Sequence, residues 1–276
     1  MKKLLALILT AAMLALTLCA CSGGDENEID EASLIPIVVG VSKGKVPQEE
    51  ILYGLEKNFP AKGYKLVYKE YATAKEANDA LVNGEIDFSC ISTKAEYEAY
   101  GNDAILNLGS VYFYPYSIYL TEGEIKSDIQ PGSKVAIPDD ADGMARALLL
   151  LAREEIITLK EGVGLSATLA DIAENGKELE FIAVPKDKVA SADAAVKVIH
   201  SVDAPAAGYE RRFDALTSEL GESEGAINSA TVFLIRKADL TTDKIDLVQD
   251  YLFTRRMYNH IDDISDDLIE PMFEIQ

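Results

Sequence analysis

From residue 35 onward, short β-branched runs alternate with amphipathic stretches, and this alternation narrows the chain to a layered α/β architecture. Residues 35–41 (Ile-Pro-Ile-Val-Val-Gly-Val) form an apolar run of strand length, suited to burial on both faces. Residues 48–59 follow with Ile51, Leu55 and Phe59 on one helical face. Residues 65–71 predict a second strand, and 73–83 a helix with Ala77, Ala80 and Leu81 inward, stopped at Asn83-Gly84. A strand over 86–91 and a short helix over 94–100, ending at Gly101, come next. Strands over 104–111 and 114–120 divide near Tyr112-Phe113. A βαβαβ order implies parallel strands with crossover helices, the doubly wound arrangement.

Thr121-Glu122-Gly123-Glu124 interrupts the pattern, and a second α/β unit starts at residues 134–138. Its helix is expected over 143–155, with Leu148, Leu149 and Leu151 mostly inward. Strands over 180–184 and 194–199, a helix over 210–220, a strand over 228–236 and a long helix over 242–258 complete the chain. Ile245, Val248 and Leu252 share one face of that last helix. Two α/β units, with the C-terminal segment free to rejoin the first, describe a two-lobed clamshell. The expected lobes are residues 34–120 plus 228–276, and 121–227. Ligands of such folds sit at the carboxyl ends of strands and the N-termini of helices, in the cleft between lobes.

The first 20 residues are an address. Lys2 and Lys3 precede an apolar run from Leu4 to Leu18, broken only by Thr10 and Thr17. The run is shorter than the ~20 residues a membrane-spanning helix needs, so it reads as a signal peptide. Leu18-Cys19-Ala20-Cys21 closes it and resembles the bacterial lipobox, in which the final Cys is acylated. Cys21 would begin the mature chain, and residues 21–33 form a polar tether. Removing Lys2 and Lys3 leaves 24 basic and 47 acidic residues, a formal charge of −23. Acyl chains would then anchor an extracytoplasmic protein to the bacterial cell membrane, with no other membrane contact required. Cys90 would be the remaining free thiol, read as a small buried hydrophobe because no His lies near it in sequence.

Charge excludes further classes. The precursor carries 47 Asp and Glu against 26 Lys and Arg, a net −21, which repels nucleic-acid phosphates. With 2 His and 3 Cys the chain is poor in soft metal ligands, so no metal site and no cofactor are expected. Asp139, Asp140 and Asp142 suggest a calcium loop, but Leu151 stands where its bidentate Glu belongs. No nucleophile elbow, P-loop or zinc-spacing motif is present, so an enzyme is not expected.

Several segments resemble the NlpA/MetQ family of substrate-binding lipoproteins. They are Val135-Ala136-Ile137-Pro138-Asp139-Asp140, Arg146 to Leu151, Ile157-Thr158-Leu159-Lys160-Glu161-Gly162 and Ala167-Thr168-Leu169-Ala170-Asp171-Ile172 with Glu174-Asn175. Asp193-Ala194-Ala195-Val196, Val39-Gly40-Val41-Ser42 and Pro115 with Ser117-Ile118-Tyr119 continue the likeness. The resemblance implies a type II periplasmic-binding-protein fold and delivery of methionine or related amino acids to the permease and ATPase subunits of an ABC importer. It also implies that Arg146 pairs with a ligand carboxylate, a role that suits a guanidinium fork in the first turn of a helix. Tyr112 falls at a cleft position of the family, and strand alternation would put Tyr112, Tyr114 and Tyr116 on one face as aromatic walls or as core. Asp142 would cap the helix or lie beside a ligand ammonium.

The chain departs from the family pattern at Ile91-Ser92-Thr93, where the family has Phe-Gln-His, and at Gly143, where it has Asn. Val198, His200 and Ser201 replace two Asn and a Tyr. His200 is then either a replacement contact or a loop-surface His. The expected small-molecule site comprises Arg146, Tyr112, Tyr114, Tyr116, Gly143 and His200, with Cys21 as the lipidation site. Fold and transport role carry over better than methionine itself. A non-amino-acid aromatic or heterocyclic ligand, or a ligand-sensing lipoprotein without transport, are the alternatives.

Overall fold

The computed structural model describes residues 30–43, 48–265 and 268–273; the leader, Cys19 and Cys21 lie outside the described residues. In chain order the elements are β1 (Ile35–Ser42), α1 (Gln48–Glu56), β2 (Tyr64–Tyr71), α2 (Ala74–Val82), β3 (Phe88–Ser89), α3 (Lys94–Tyr100) and β4 (Ile105–Phe113). There follow β5 (Tyr116–Leu120), β6 (Lys134–Pro138), α4 (Ala141–Arg153), β7 (Thr158–Leu159), β8 (Ile172–Glu174), β9 (Glu180–Val184) and β10 (Val196–His200). The chain ends through α5 (Arg211–Asp214), β11 (Ala215–Ser218), α6 (Glu224–Ser229), β12 (Thr231–Arg236), α7 (Asp243–Leu252), α8 (Arg255–Ile264) and β13 (Glu270–Pro271).

The strands form a six-stranded sheet, β13-β4-β12-β3-β1-β2, and a five-stranded sheet, β11-β5-β10-β6-β9. A small pair, β7-β8, stands apart. Strand β1 shows why its sequence is apolar on both faces. It lies between β2 and β3, parallel to each. Val39 and Val41 join a core with Leu55, Phe59 and Leu252, while Val38 faces Leu81 and Ile86 on the other side. The second sheet packs against α4, where Leu148, Leu150 and Leu151 are buried with Val135, Ile137 and Val196.

The local grammar of the helices is explicit. Thr73 and Thr93 accept from the amides of Glu76 and Glu96, and each Glu returns a bond to its cap, so α2 and α3 both begin with capping boxes. Helix α3 stops at Gly101, whose φ of +60° closes the turn.

Both sheets are mixed rather than wholly parallel. Strand β12 runs antiparallel to β3 and β4, and β5 antiparallel to β10 and β11. The strand break falls at Tyr114-Pro115, beyond the Tyr112-Phe113 expected, because Pro115 has no N–H to donate to a ladder. Residues 116–120, grouped by sequence with the first lobe, therefore belong to the second sheet. The helix expected over 210–220 is one turn, α5, followed by edge strand β11. The long helix expected over 242–258 is two, α7 and α8, because the Thr254 hydroxyl accepts from the Met257 amide and starts a new helix. The cap of α4 is Asp140, which accepts from Gly143 N at 2.9 Å, and not Asp142.

Two segments carry the chain between the sheets. Tyr114-Pro115 joins β4 to β5, and residues 219–230, containing α6, join β11 to β12.

Candidate functional site

A cavity of about 740 Å³ opens where the two sheets meet. Its walls come from chain positions expected of an α/β cleft. Ser42 and Lys43 end β1, Thr73 and Thr93 start α2 and α3, and His200 ends β10. Tyr112, Tyr114, Arg146, Lys186 and Asp203 also line it, with Glu96, Ser229 and Thr231.

Arg146 is 3% exposed and almost wholly spoken for. It lies in the second turn of α4, not the first as the sequence suggested, because the helix starts at Ala141. Its Nε donates to both carboxylate oxygens of Glu219, at 3.0 and 3.2 Å, and Nη2 donates to Glu219 Oε2 at 2.5 Å. Nη2 also donates to the Tyr114 carbonyl at 2.8 Å. The Nη1 edge faces only Asp142, at 3.5 Å, among the described residues. Burial opposes the guanidinium charge, and the hydrogen bonds and charge of Glu219 outweigh it, so the Arg146 pKa is raised. The guanidinium carbon sits 4.7 Å from the Tyr116 ring centroid.

Glu219 is as well satisfied as its partner. Besides Arg146 it accepts from Tyr116 N at 3.2 Å and from Ser223 Oγ at 3.2 Å, while its own amide donates to Tyr116 O at 2.8 Å. Because Tyr114 lies on one crossover and Glu219 on the other, a single guanidinium ties both crossovers to α4. Gly225 makes the close approach possible. A Cβ there would stand 2.5 Å from Glu219 Oε1 and 2.7 Å from Arg146 Cγ.

The aromatic residues form a continuous run across the joint. Tyr112 and Tyr114 meet edge to face with centroids 5.7 Å apart. Tyr114 lies over His200 at 5.7 Å and 31°. Tyr116 meets the same imidazole at 4.9 Å, since His200 and Tyr116 are register partners in the second sheet. Burial raises the Tyr114 pKa, opposed by a hydrogen bond with Tyr112.

Of the residues the sequence singled out, Arg146, Tyr112, Tyr114 and His200 line the one cavity. Tyr116 and Gly143 do not. Tyr116 is buried one layer behind, because the turn at Pro115 carries it into the second sheet, away from the face of Tyr112. Gly143 is packed beneath it, where a Cβ would come within 2.8 Å of the Tyr116 hydroxyl. Asp142, exposed beside Arg146, is an ion-pair neighbour rather than a cap. Of Ile91-Ser92-Thr93, Ile91 reaches the cavity, Ser92 donates to buried Asn78 at 3.0 Å and Thr93 caps α3.

Sequence reasoning missed Glu219, Lys186, Asp203 and Lys43. Glu219 was hidden by the expectation of a helix over 210–220, which would leave it on a solvated face. No local signal marks Lys186 or Asp203, because what distinguishes them is their position on the cavity wall.

Comparison with known proteins follows the same outline. The NlpA lipoprotein family matches residues 37–273. The D-methionine-binding lipoprotein MetQ of Escherichia coli K12 is 27% identical over 217 residues, covering 76% of this chain and 77% of its own. The crystal structure of a YaeC-family lipoprotein from Enterococcus faecalis superposes with a TM-score of 0.69 at 26% identity, covering 86% of this chain and 99% of that one. A periplasmic substrate-binding protein of an ABC transporter from Coxiella burnetii shares the fold, with a TM-score of 0.62 at 24% identity over 85% of this chain and 99% of that one. The two lobes thus form a periplasmic-binding-protein fold.

Proposed function

The chain belongs to the NlpA lipoprotein family, and from that premise we propose that it is the solute-binding lipoprotein of an ABC importer. In this reading acyl chains on Cys21 hold it at the outer face of the cell membrane, and its lobes close on a small carboxylate-bearing ligand, a methionine-like amino acid or analogue. Closure buries the ligand and presents the protein to the permease and ATPase subunits. No catalytic step is involved.

The observation that carries the reading is the composition of the cavity wall. In a chain of formal charge −21, Lys43, Arg146 and Lys186 line one cavity, facing two wall carboxylates, Glu96 and Asp203, with Arg146 held by Glu219. A wall with groups of both signs offers partners to both ends of a zwitterion, and its basic groups give a carboxylate a local partner on a protein that otherwise repels anions. The Nη1 edge of Arg146 remains for a ligand carboxylate, in an orientation that Glu219 holds. Tyr114, backed by buried Tyr112, puts an aromatic side chain on the wall for a thioether or other apolar side chain. The E. coli relative, named for D-methionine, supports an amino-acid ligand.

A second ligand class has its own support. The Tyr114–His200 pair, with rings tilted by 31°, puts two aromatic side chains on the wall, which suits an aromatic or heterocyclic carboxylate. One experiment separates the two. Soluble protein beginning at Ser22 is examined by native mass spectrometry before and after mild denaturation, then by thermal shift with amino acids and with aromatic carboxylates. A co-purified amino acid, or stabilisation by methionine, supports the first ligand class. Stabilisation by aromatic carboxylates alone supports the second. A ligand-free mass with no shift in either panel defeats both.

A further inference from the structure

The cavity wall holds two carboxylates among the described residues, Glu96 and Asp203, and their situations are opposite. Glu96 is engaged in the capping box of α3, accepting from Thr93 N at 2.8 Å and Thr93 Oγ1 at 3.1 Å. Asp203 sits in the turn after β10, its amide donating to the His200 carbonyl at 2.9 Å. Its Oδ2 is buried and, among the described residues, has no hydrogen-bond partner. A buried carboxylate oxygen without a donor is costly and is seldom kept without a reason.

Three surroundings bear on what would satisfy it. Burial pushes the Asp203 carboxyl above the ordinary carboxylate range, the charge of Lys186 pulls it back, and the like charge of Asp187 adds to the rise. Lys186 lines the same cavity, near enough for its charge to act on Asp203. The two therefore stand as a negative and a positive group on the same lobe, each able to accept a further partner. A neutral donor would satisfy Asp203 in part; an ammonium supplies three N–H donors and the opposite charge together.

Resting on the reading of the cavity as a ligand site, we infer that Asp203 is the acceptor for a ligand ammonium and so selects zwitterionic amino acids over plain carboxylates. Lys186, beside it, adds to the attraction for the carboxylate of the same headgroup. The ammonium position is thus assigned to the second lobe, at the end of β10, and the specificity against deaminated analogues resides in one side chain. This choice also separates the two ligand classes: an aromatic carboxylate without an amine would leave Asp203 buried and unpaired when the lobes close, which penalises it.

The test uses matched probes that differ only in the amine. Soluble wild-type protein and Asp203→Asn are titrated calorimetrically with L- and D-methionine, phenylalanine, 4-(methylthio)butanoate and 3-phenylpropanoate. The expected result is that wild type binds an amino acid at least tenfold more tightly than its deaminated partner. Asp203→Asn should lose roughly 30-fold or more of the amino-acid affinity, as when one member of a desolvated charge pair is removed. The affinity for the deaminated partner should be unchanged or improved. Unliganded Asp203→Asn should melt no lower than wild type, since Asn removes a buried unpaired charge, and this shows that the variant is folded. Wild-type protein that binds a deaminated probe as tightly as the amino acid overturns the assignment and leaves the ligand-site reading standing. An Asp203→Asn variant that weakens both probes equally, or neither, overturns it as well. Wild-type protein that binds none of the probes defeats the ligand-site reading, and the assignment with it.

Discussion

Beneath the cavity Arg146 and Glu219 satisfy one another, and on its wall Asp203 and Lys186 do not. The lower pair is 3% and 6% exposed, shares three hydrogen bonds, donates to the Tyr114 carbonyl and accepts from Tyr116 and Ser223. The wall pair has a buried oxygen without a partner among the described residues, and an exposed ammonium. Both sets are charged, and both belong largely to the second lobe and the crossovers. The difference teaches where to look for recognition. Charges that close on each other fix the frame, and charges left incomplete await something that is not part of the chain. Arg146 shares in both roles, since Glu219 takes one side of its fork and leaves Nη1.

The comparison can be broken most forcefully at the lower pair. Glu219→Ala leaves Arg146 buried without its partner, and should lower unfolding stability by about 3–5 kcal/mol. Urea unfolding reads this directly, and a loss below ~1 kcal/mol would mean that the crossovers are held by something other than this pair. Arg146→Ala should cost a similar amount, and the double variant clearly less than the two single costs combined. A smaller effect is expected at Gly225, where the added methyl of Gly225→Ala would collide with Glu219 Oε1 and Arg146 Cγ. Overpacking of this kind costs about 1–3 kcal/mol, and an unchanged denaturation midpoint would show that the joint can relax. Smaller again is Thr93→Ala. The hydroxyl faces the cavity region but is engaged in capping α3, so about 1 kcal/mol of stability should go while ligand affinity holds. Loss of affinity with full stability would move Thr93 from the frame to the recognition set.

The least effect is expected at Cys90, next to Ile91 of the cavity wall. Burial pushes its thiol up to about 12, so the thiolate that reacts with disulfide reagents is scarce at pH 8. Folded protein should resist labelling, and denatured protein should label at once. Labelling of the folded state would mean that the first lobe opens beneath the cavity.

Much of the frame was legible from local pattern. The span of α2 between Thr73 and Asn83-Gly84 follows from a cap, an apolar face and a stop signal that all act within a few residues. Strand β1 is readable because burial on both faces demands an unbroken apolar run. What escaped is what depends on distant partners. Residues 215–218 have no strand signature of their own and become an edge strand by pairing with β5. Asp140 and Asp142 both suit a cap, and only the helix start at Ala141 decides between them. The site divides in the same way. Tyr112, Tyr114, Arg146 and His200 stood out by residue type and by family likeness. Glu219, 73 positions from Arg146, could not be found by any local rule.

The close fit of Gly225 against Arg146 and Glu219 bears on how such a chain can change over generations. Replacing Glu219 strands a cation, replacing Arg146 strands an anion, and giving Gly225 a side chain drives an atom into both. Each of these single substitutions is expected to cost stability, and compensation for one requires a second change within the trio. Asp203 and Lys186 are under no such bond, and either can be exchanged in one step. In the proposed role, residues that would meet a ligand can thus vary while the joint between the lobes keeps its geometry.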